Sequence, residues 1–199
     1  MEQKNLDIIS PKMIGKKVML GPIREDLNNL YRRWLHDMET SIHLVPVRLL
    51  TFQMETDWLR AATAAGHVLF TVYEKQSGTP IGTTSLMTVD TVNRSAEFGI
   101  MIGEKGFRNR GFGTEATVLT LDYGFNFMNL QSIYLRVHEF NTRAVRTYEK
   151  VGFKICGKRR SSYFVAGKYY DDVLMDIICS EFSSSVIIPL VQKTTQKRK

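Results

Sequence analysis

The chain contains short segments in which apolar residues recur with one of two spacings, and this spacing assigns most segments to strands or helices. Alternating or continuous apolar runs of strand length, bounded by turn residues, predict strands. These strands are expected at residues 18–23, 68–74, 81–89, 96–102 and 133–137, followed by a closing hairpin with arms at 163–165 and 173–178. The run at 96–102 is mostly apolar, so this strand is expected to be central in the sheet.

Four other segments carry apolar residues every three or four positions, which predicts helices. They span residues 25–37, 51–63, 114–128 and 142–150, whereas 38–50 fits neither pattern. In the third helix, for example, Ala116, Leu119, Tyr123 and Phe127 share one stripe. Strands with helices inserted at intervals predict an α/β fold around one mixed sheet.

Composition agrees with a folded domain, since 43% of the 199 residues are hydrophobic and 24% are charged. The sequence shows no signal peptide and no membrane-spanning run, and Cys156 and Cys179 lack metal-ligand spacing. We therefore expect a cytoplasmic protein whose two cysteines fill the core. The net charge of +7 favours anionic partners, and its share in residues 193–199 predicts a solvated, mobile tail.

The stretch Gly106 to Ala116, GFRNRGFGTEA, lies between a predicted strand and a predicted helix. The first amides of a helix lack partners within it and favour phosphate oxygens. Gly111 and Gly113 allow close approach of a phosphate, and Arg108 and Arg110 add positive charge. The stretch also fits a dinucleotide-binding pattern. The alternative without a ligand is a glycine turn whose arginines are solvated.

A second motif, HEFNTRAVRTYEKVGF, covers His138 to Phe153. Asn141 is placed to cap the helix that follows. Tyr148 is seven residues later and therefore lies on the same helix face. A site facing a ligand and a tyrosine packed in the core are both compatible with this spacing.

With these two motifs in this order, the chain resembles the GCN5-related N-acetyltransferase (GNAT) family. The residues that carry the resemblance are Arg108, Gly111 and Gly113 in the first motif and Asn141, Ala144, Tyr148 and Gly152–Phe153 in the second. The resemblance is strongest to the branch of ribosomal-protein N-terminal acetyltransferases and spermidine acetyltransferases. It implies a single domain with a mixed, mostly antiparallel central sheet, a splayed parallel strand pair and flanking helices. The expected divisions are an N-terminal extension at 1–15, the N-acetyltransferase domain at 16–182 and a C-terminal basic tail at 183–199.

The resemblance also implies a binding site for acetyl-coenzyme A, and no metal. The pyrophosphate is expected on the loop and helix start: Arg108, Asn109, Arg110, Gly111, Phe112, Gly113 and Thr114. The pantetheine arm is expected to meet the backbone of Ile100, Met101 and Ile102, with Asn141 nearby. Tyr148 corresponds to the tyrosine that lies near the thioester sulfur.

Transfer to a primary amine requires that the ammonium group first loses a proton. Glu97, within the predicted central strand, is the candidate base, because burying a carboxylate there costs free energy unless it forms an ion pair or takes part in catalysis. The alternative is an ion pair between Glu97 and an arginine such as Arg94. Tyr148 is the candidate donor to the leaving thiolate.

Two acceptor classes are left open by the sequence: a small-molecule amine (polyamine, aminosugar or antibiotic-like) and the N-terminus of a ribosomal or other protein. Residues 38–59 hold only Glu39, Glu55 and Asp57 as carboxylates, which counts against a polyamine. Asp171 and Asp172 could still hold one ammonium group. A dinucleotide-binding oxidoreductase and a non-catalytic acyl-coenzyme A-binding module are the rival classes. No membrane or nucleic-acid partner is expected, and formation of a homodimer is left open.

Overall fold

A computed structural model describes residues 9–44 and 49–196 of the chain. Eight strands form one sheet: β1 (Met13–Ile14), β2 (Val18–Pro22), β3 (Val68–Glu74), β4 (Pro80–Asp90), β5 (Ser95–Ile102), β6 (Ser132–His138), β7 (Lys154–Val165) and β8 (Lys168–Ile178). The α-helices of this part of the chain are α1 (Asn28–His36), α2 (Met38–Ser41), α3 (Phe52–Ala64), α4 (Phe112–Asn126), α5 (Thr142–Val151) and α6 (Ile187–Gln196). Short 3₁₀ turns lie at Glu25–Leu27, Lys105–Phe107 and Cys179–Glu181.

The strand order is β1-β2-β3-β4-β5-β6-β8-β7, and β5 and β6 form its parallel pair. Their pairing extends only from Ser95–Ser132 to Glu97–Tyr134. Beyond it, β5 stays paired with β4 as far as Ile102, and β6 stays paired with β8 as far as His138. The two strands therefore diverge after three residue pairs, and the predicted fold class with its splayed parallel pair is confirmed.

Helices cover both faces of the sheet, and the alternation along β5 shows how. Ile100 packs against apolar clusters that contain α4 residues, whereas Met101 packs against Tyr31, Trp34 and Leu59 of α1 and α3. Since neighbouring strand residues point to opposite faces, α4 lies on one side and α1 with α3 on the other. Burial of these apolar clusters is the main force holding the layers together.

Several predicted elements change at their ends. The helix expected at 25–37 is a 3₁₀ turn followed by α1, and the ambiguous segment contains α2, whose first turn is capped by Asp37. Residues 45–48 of that segment lie outside the described residues. The first arm of the closing hairpin is the twelve-residue strand β7, far longer than expected. Cys156 lies on β7 and is exposed, so its expected place in the core was wrong.

Residues on both sides of the expected domain belong to the fold. Ile9 and Met13 are buried, and Val186 and Ile187 pack against the cluster around Leu119. Asp122, which is fully buried, accepts hydrogen bonds from the Ser184 hydroxyl and from the amides of residues 185–187 at the start of α6. Residues 193–196 continue α6 and are exposed, so the expected solvation agrees with the structure while the mobility of the tail stays a prediction; residues 197–199 lie outside the described chain.

Candidate functional site

A cavity of about 760 Å³ opens where β5 and β6 separate. It is bordered by both strands, the loop before α4, helix α5 and residues of α1, α2 and α3. Every residue predicted to bind the cofactor or to take part in catalysis lines it except Arg110 and Phe112, and of the two candidate acceptor carboxylates Asp172 lines it whereas Asp171 does not. The topology thus brings together two motifs that are separated by 21 residues in the chain.

The loop before α4 has the backbone of an anion site. Gly111 precedes the helix with a φ of +84°, the left-handed conformation that favours glycine. A Cβ on Gly113 would lie 3.4 Å from the Ile102 side chain, so the helix start packs closely against the end of β5. The amides of residues 112–114 belong to the first turn, where amides lack partners within the helix and face the positive end of its dipole. These residues fit the pyrophosphate of coenzyme A.

Arg108 is engaged within the protein. Its Nε donates to the Ile102 carbonyl at 3.0 Å, and its Nη2 donates to the Thr40 hydroxyl at 2.6 Å and to the Gly103 carbonyl at 3.1 Å. The guanidinium therefore ties α2 to the end of β5 and holds the loop. Arg110 lies outside the cavity lining and donates to the Gly106 carbonyl.

Two other cations lie beside this loop and were missed in the sequence. The Lys17 ammonium donates to the Arg110 carbonyl at 3.0 Å and would lie 3.4 Å from a Cβ on Gly111. Arg143 lines the cavity and donates to the Asn109 side chain at 3.4 Å. Lys17 could not be found from sequence because the loop lies 93 residues away. Arg143 carries a weak signal, as it stands in the first turn of the helix that Asn141 caps.

Tyr148 faces the cavity from α5 and is 9% exposed. Phe98 and Phe153 pack against its ring, and its hydroxyl donates to no other residue in the described ranges. Burial raises the pKa of Tyr148 to about 12. Asn141 caps α5 as expected, because its Oδ1 accepts from the Ala144 amide at 3.3 Å. The tyrosine is thus a protonated donor at any physiological pH.

Glu97 stands at the point where β5 and β6 part. Its Oε1 accepts from the Arg136 Nε at 3.1 Å, across the parallel pair. The arginine that pairs with it is therefore Arg136, whereas Arg94 donates to Gln131. Both Glu97 and Arg136 line the cavity, so the carboxylate is both paired and in reach of a ligand.

A buried polar cluster on β6, β7 and β8 was also missed. His138 and Asp172 share a 2.8 Å hydrogen bond, and the second carboxylate oxygen of Asp172 pairs with Arg159 at 3.1 Å. Burial alone would raise the pKa of Asp172, but hydrogen bonding by His138 and Ser162, together with the positive charges of His138 and Arg159, outweighs it, so this pKa lies below its ordinary value. Asp172 is 3% exposed and already paired, so it does not offer a free carboxylate to an ammonium group.

The opposite wall of the cavity comes from the helices that precede β3. Leu35, Met54, Glu55 and Trp58 line it, and a smaller chamber of about 110 Å³ continues inward beside them. Among the described residues no group of three or more His, Cys, Asp or Glu side chains could hold a metal ion. The same part of the chain contains no helix long and apolar enough to cross a membrane.

A sheet with one splayed parallel pair, a glycine turn before a helix start and a tyrosine facing the gap are the features of an acetyl-coenzyme A-dependent acetyltransferase fold. The model of the acetyltransferase (GNAT) domain matches residues 17–154, and the chain belongs to this family. The predicted family is thereby confirmed.

The relatives extend this picture. Spermidine N(1)-acetyltransferase of Escherichia coli (strain K12) is 33% identical over 105 residues, which are 53% of this chain and 56% of that protein. The alpha/beta-tubulin-N-acetyltransferase 9 of Mus musculus is 26% identical over 155 residues, 71% of this chain and 64% of the relative. The chain therefore spans between half and two thirds of the length of these relatives.

Among solved structures, spermidine N-acetyltransferase from Vibrio cholerae in complex with CoA and spermine is similar with a TM-score of 0.79. It is 25% identical, and the match covers 84% of this chain and 98% of that one. The fold found here is thus shared over nearly the whole of that enzyme.

Proposed function

We propose that the protein transfers the acetyl group of acetyl-coenzyme A to a primary amine of a small molecule. The observation that carries this proposal is the cavity at the β5–β6 divergence, where the helix start of residues 111–114 and the hydroxyl of Tyr148 line one space. Spermidine acetyltransferases among its relatives support the same reading. The largely apolar wall that Leu35, Met54, Glu55 and Trp58 form opposite the strands favours a small acceptor.

Acetyl-coenzyme A supplies an activated thioester, and the residues of the chain bind and orient it. The amides of residues 112–114 would hold the pyrophosphate, with Lys17 and Arg143 as the cations beside it. Past Glu97, β5 no longer pairs with β6, so its edge offers backbone donors and acceptors to the two amides of the pantetheine arm. Ile100, Met101 and Ile102 are the proposed contacts, with Asn141 on the facing helix.

Two proton positions complete the proposal. Glu97 accepts the proton of the acceptor's ammonium group, directly or through water, while Arg136 holds the carboxylate in place. Tyr148 donates a hydrogen bond to the sulfur as negative charge collects there.

Release of free thiol from acetyl-coenzyme A, measured with a panel of amines, tests the proposal. The panel contains linear amines, aminosugars, aminoglycosides and short peptides with a free N-terminus. We expect thiol release with small amines, and loss of it in Glu97→Gln at neutral pH. Release with the peptides alone would replace the small-molecule acceptor by a protein N-terminus. If coenzyme A binds but none of the amines gives thiol release, the protein is a binding module and the proposed enzymatic activity is refuted. A cytoplasmic location and a homodimer stay predictions.

A further inference from the structure

Residues 37–44, which contain α2, form a strap that links the ends of β5 and β6 where the two strands are apart. On the β5 side, Nη2 of Arg108 donates to the Thr40 hydroxyl at 2.6 Å. On the β6 side, Nε2 of His138 lies 3.0 Å from the Leu44 carbonyl oxygen. The strap is therefore anchored to both of the diverging strands.

The strap is also part of the cavity wall, to which it contributes Glu39, Thr40, His43 and Leu44. The Leu44 side chain packs against the apolar cluster of α1 and α3, so the strap lies on the face of the sheet opposite α4. Coenzyme A is proposed to bind at the start of α4. The position of the strap therefore shapes the part of the cavity that remains for the amine.

Both ring nitrogens of His138 face oxygen atoms. Nδ1 lies 2.8 Å from a carboxylate oxygen of Asp172, and the lowered pKa of Asp172 keeps this carboxylate ionised at neutral pH. Nε2 faces the Leu44 carbonyl. Neither an ionised carboxylate nor a carbonyl group has a hydrogen to donate, so both ring nitrogens must be the donors. A ring that donates from both nitrogens is an imidazolium.

The other groups around His138 hold this ring in place. The second carboxylate oxygen of Asp172 pairs with Arg159 at 3.1 Å, and the imidazole stacks on Tyr163 with the ring centroids 3.8 Å apart. His43 of the strap is a further titratable neighbour. Burial lowers the pKa of His43, so its ring is neutral at neutral pH and adds no repelling charge. The imidazolium thus has one counter-charge, a ring partner and a fixed orientation.

We propose that His138 is a positioning residue for the acceptor: as an imidazolium, it fixes the strap through a charge-assisted hydrogen bond to the Leu44 carbonyl. Asp172 orients the ring and supplies its counter-charge. The inference rests on the proposed function where it names the amine as the substrate beside the strap. A strap that is fixed in advance lowers the cost of ordering the cavity when the amine binds.

Two substitutions separate the two hydrogen bonds of His138. Asparagine and glutamine both carry an amide donor. The shorter side chain places this donor near the position of Nδ1, and the longer one places it near that of Nε2. His138→Asn should therefore keep the bond to Asp172 and lose the bond to Leu44, whereas His138→Gln should keep the bond to Leu44. His67→Asn is the control, because His67 lies outside the cavity lining.

Hydrogen exchange of the strap amides measures its fixation without any acceptor. The amides of residues 40–44 are hydrogen-bonded within the strap, so they exchange when it opens. Loss of one charge-assisted hydrogen bond shifts such an opening by about 10- to 150-fold. We expect exchange at residues 40–44 to be about tenfold or more faster in His138→Asn, and less than about threefold faster in His138→Gln. His67→Asn should exchange like the wild-type protein.

Steady-state kinetics give a second readout, with the amine of the panel that releases thiol fastest. His138→Asn should raise the KM for this amine by about threefold or more, while kcat and the KM for acetyl-coenzyme A change less than about twofold. The reason is that the bound amine restores the closed strap at saturation. His138→Gln should bring the KM back toward the wild-type value.

Nitrogen NMR of the wild-type protein at about pH 7 tests the charge itself. Both ring nitrogens of His138 should be protonated, and the loss of their signals in His138→Asn assigns them.

Four results would overturn the inference. Exchange of the strap in His138→Asn could be as slow as in the wild-type protein, or equally accelerated in both variants. Exchange could be accelerated throughout the sheet in His138→Asn, which would show a general structural role. One ring nitrogen of His138 could lack a proton. Absence of thiol release with every amine would instead refute the proposed function and leave the exchange and NMR results standing, so the two failures are distinguishable.

Discussion

Replacing Tyr148 by phenylalanine isolates the role of one hydroxyl. The ring keeps its contacts with Phe98 and Phe153, so folding should be unaffected. With the pKa of Tyr148 at about 12 and that of a free thiol near about 8.5, complete proton transfer to the thiolate is uphill by about 5 kcal/mol. Tyr148 is therefore expected to act by hydrogen bonding rather than by giving up its proton.

The size of the effect follows from that role. A hydrogen bond to a charged group contributes about 1.5–3 kcal/mol, which corresponds to a decrease in kcat of about 10- to 150-fold. Affinity for acetyl-coenzyme A should change little, because the bond strengthens only as charge collects on the sulfur. In the wild-type protein, kcat should show no alkaline decline from this phenol below about pH 11.

Steady-state kinetics of thiol release, with both substrates varied, measures these quantities. Tyr123→Phe is the control, because it removes a tyrosine hydroxyl from α4 outside the cavity lining. An unchanged kcat in Tyr148→Phe, or an increase confined to the KM for acetyl-coenzyme A, would refute the reasoning.

Three further predictions concern the frame of the site. Gly111→Ala should lower the free energy of unfolding by about 1 kcal/mol and raise the KM for acetyl-coenzyme A, since φ is +84° there. Gly106→Ala is the control and should leave both quantities unchanged, because a Cβ at Gly106 would meet no atom within 4 Å. Asp122→Ala should lower the free energy of unfolding in denaturant by about 2–4 kcal/mol and make α6 accessible to protease. The reason is that four donors around the start of α6 lose their acceptor. An unaltered digestion pattern would contradict this prediction. Because the pKa of Asp172 is lowered, its stabilising contribution is complete above the ordinary aspartate pKa and is lost as pH falls through the lower folded value. Asp172→Asn should therefore destabilise the protein at pH 7 more than at pH 3, and an equal loss at both values would argue against an ionised pair.

Local patterns in the sequence predicted most of the fold. Apolar periodicity located β2 to β6 and four of the helices, because each buries one face against the sheet. It located only the end of β7, at residues 163–165, because Lys158, Arg159 and Arg160 hide the strand pattern before it. That strand is stabilised by pairing with β8 at the sheet edge rather than by burying its own side chains. It failed for α6, because the cap that starts this helix is Asp122, more than 60 residues earlier.

The candidate site was predictable where the chemistry lies in contiguous motifs. The glycine turn and the pair Asn141 and Tyr148 are of this kind, and the structure places them around one cavity. The partners of charged groups were not predictable. Arg108 turns toward Thr40, Glu97 pairs with Arg136 across the parallel strands, and Glu55 is left without a counter-charge among the described residues. Such pairings depend on tertiary contacts, and nothing in the local sequence specifies them.

A crystal structure of the protein with coenzyme A tests the central claim most directly. We predict that the pyrophosphate lies on the amides of residues 112–114, that the pantetheine arm runs along β5 past Ile100, and that the sulfur lies within hydrogen-bond distance of the Tyr148 hydroxyl. Coenzyme A bound elsewhere, or bound with its sulfur away from Tyr148, would contradict the account.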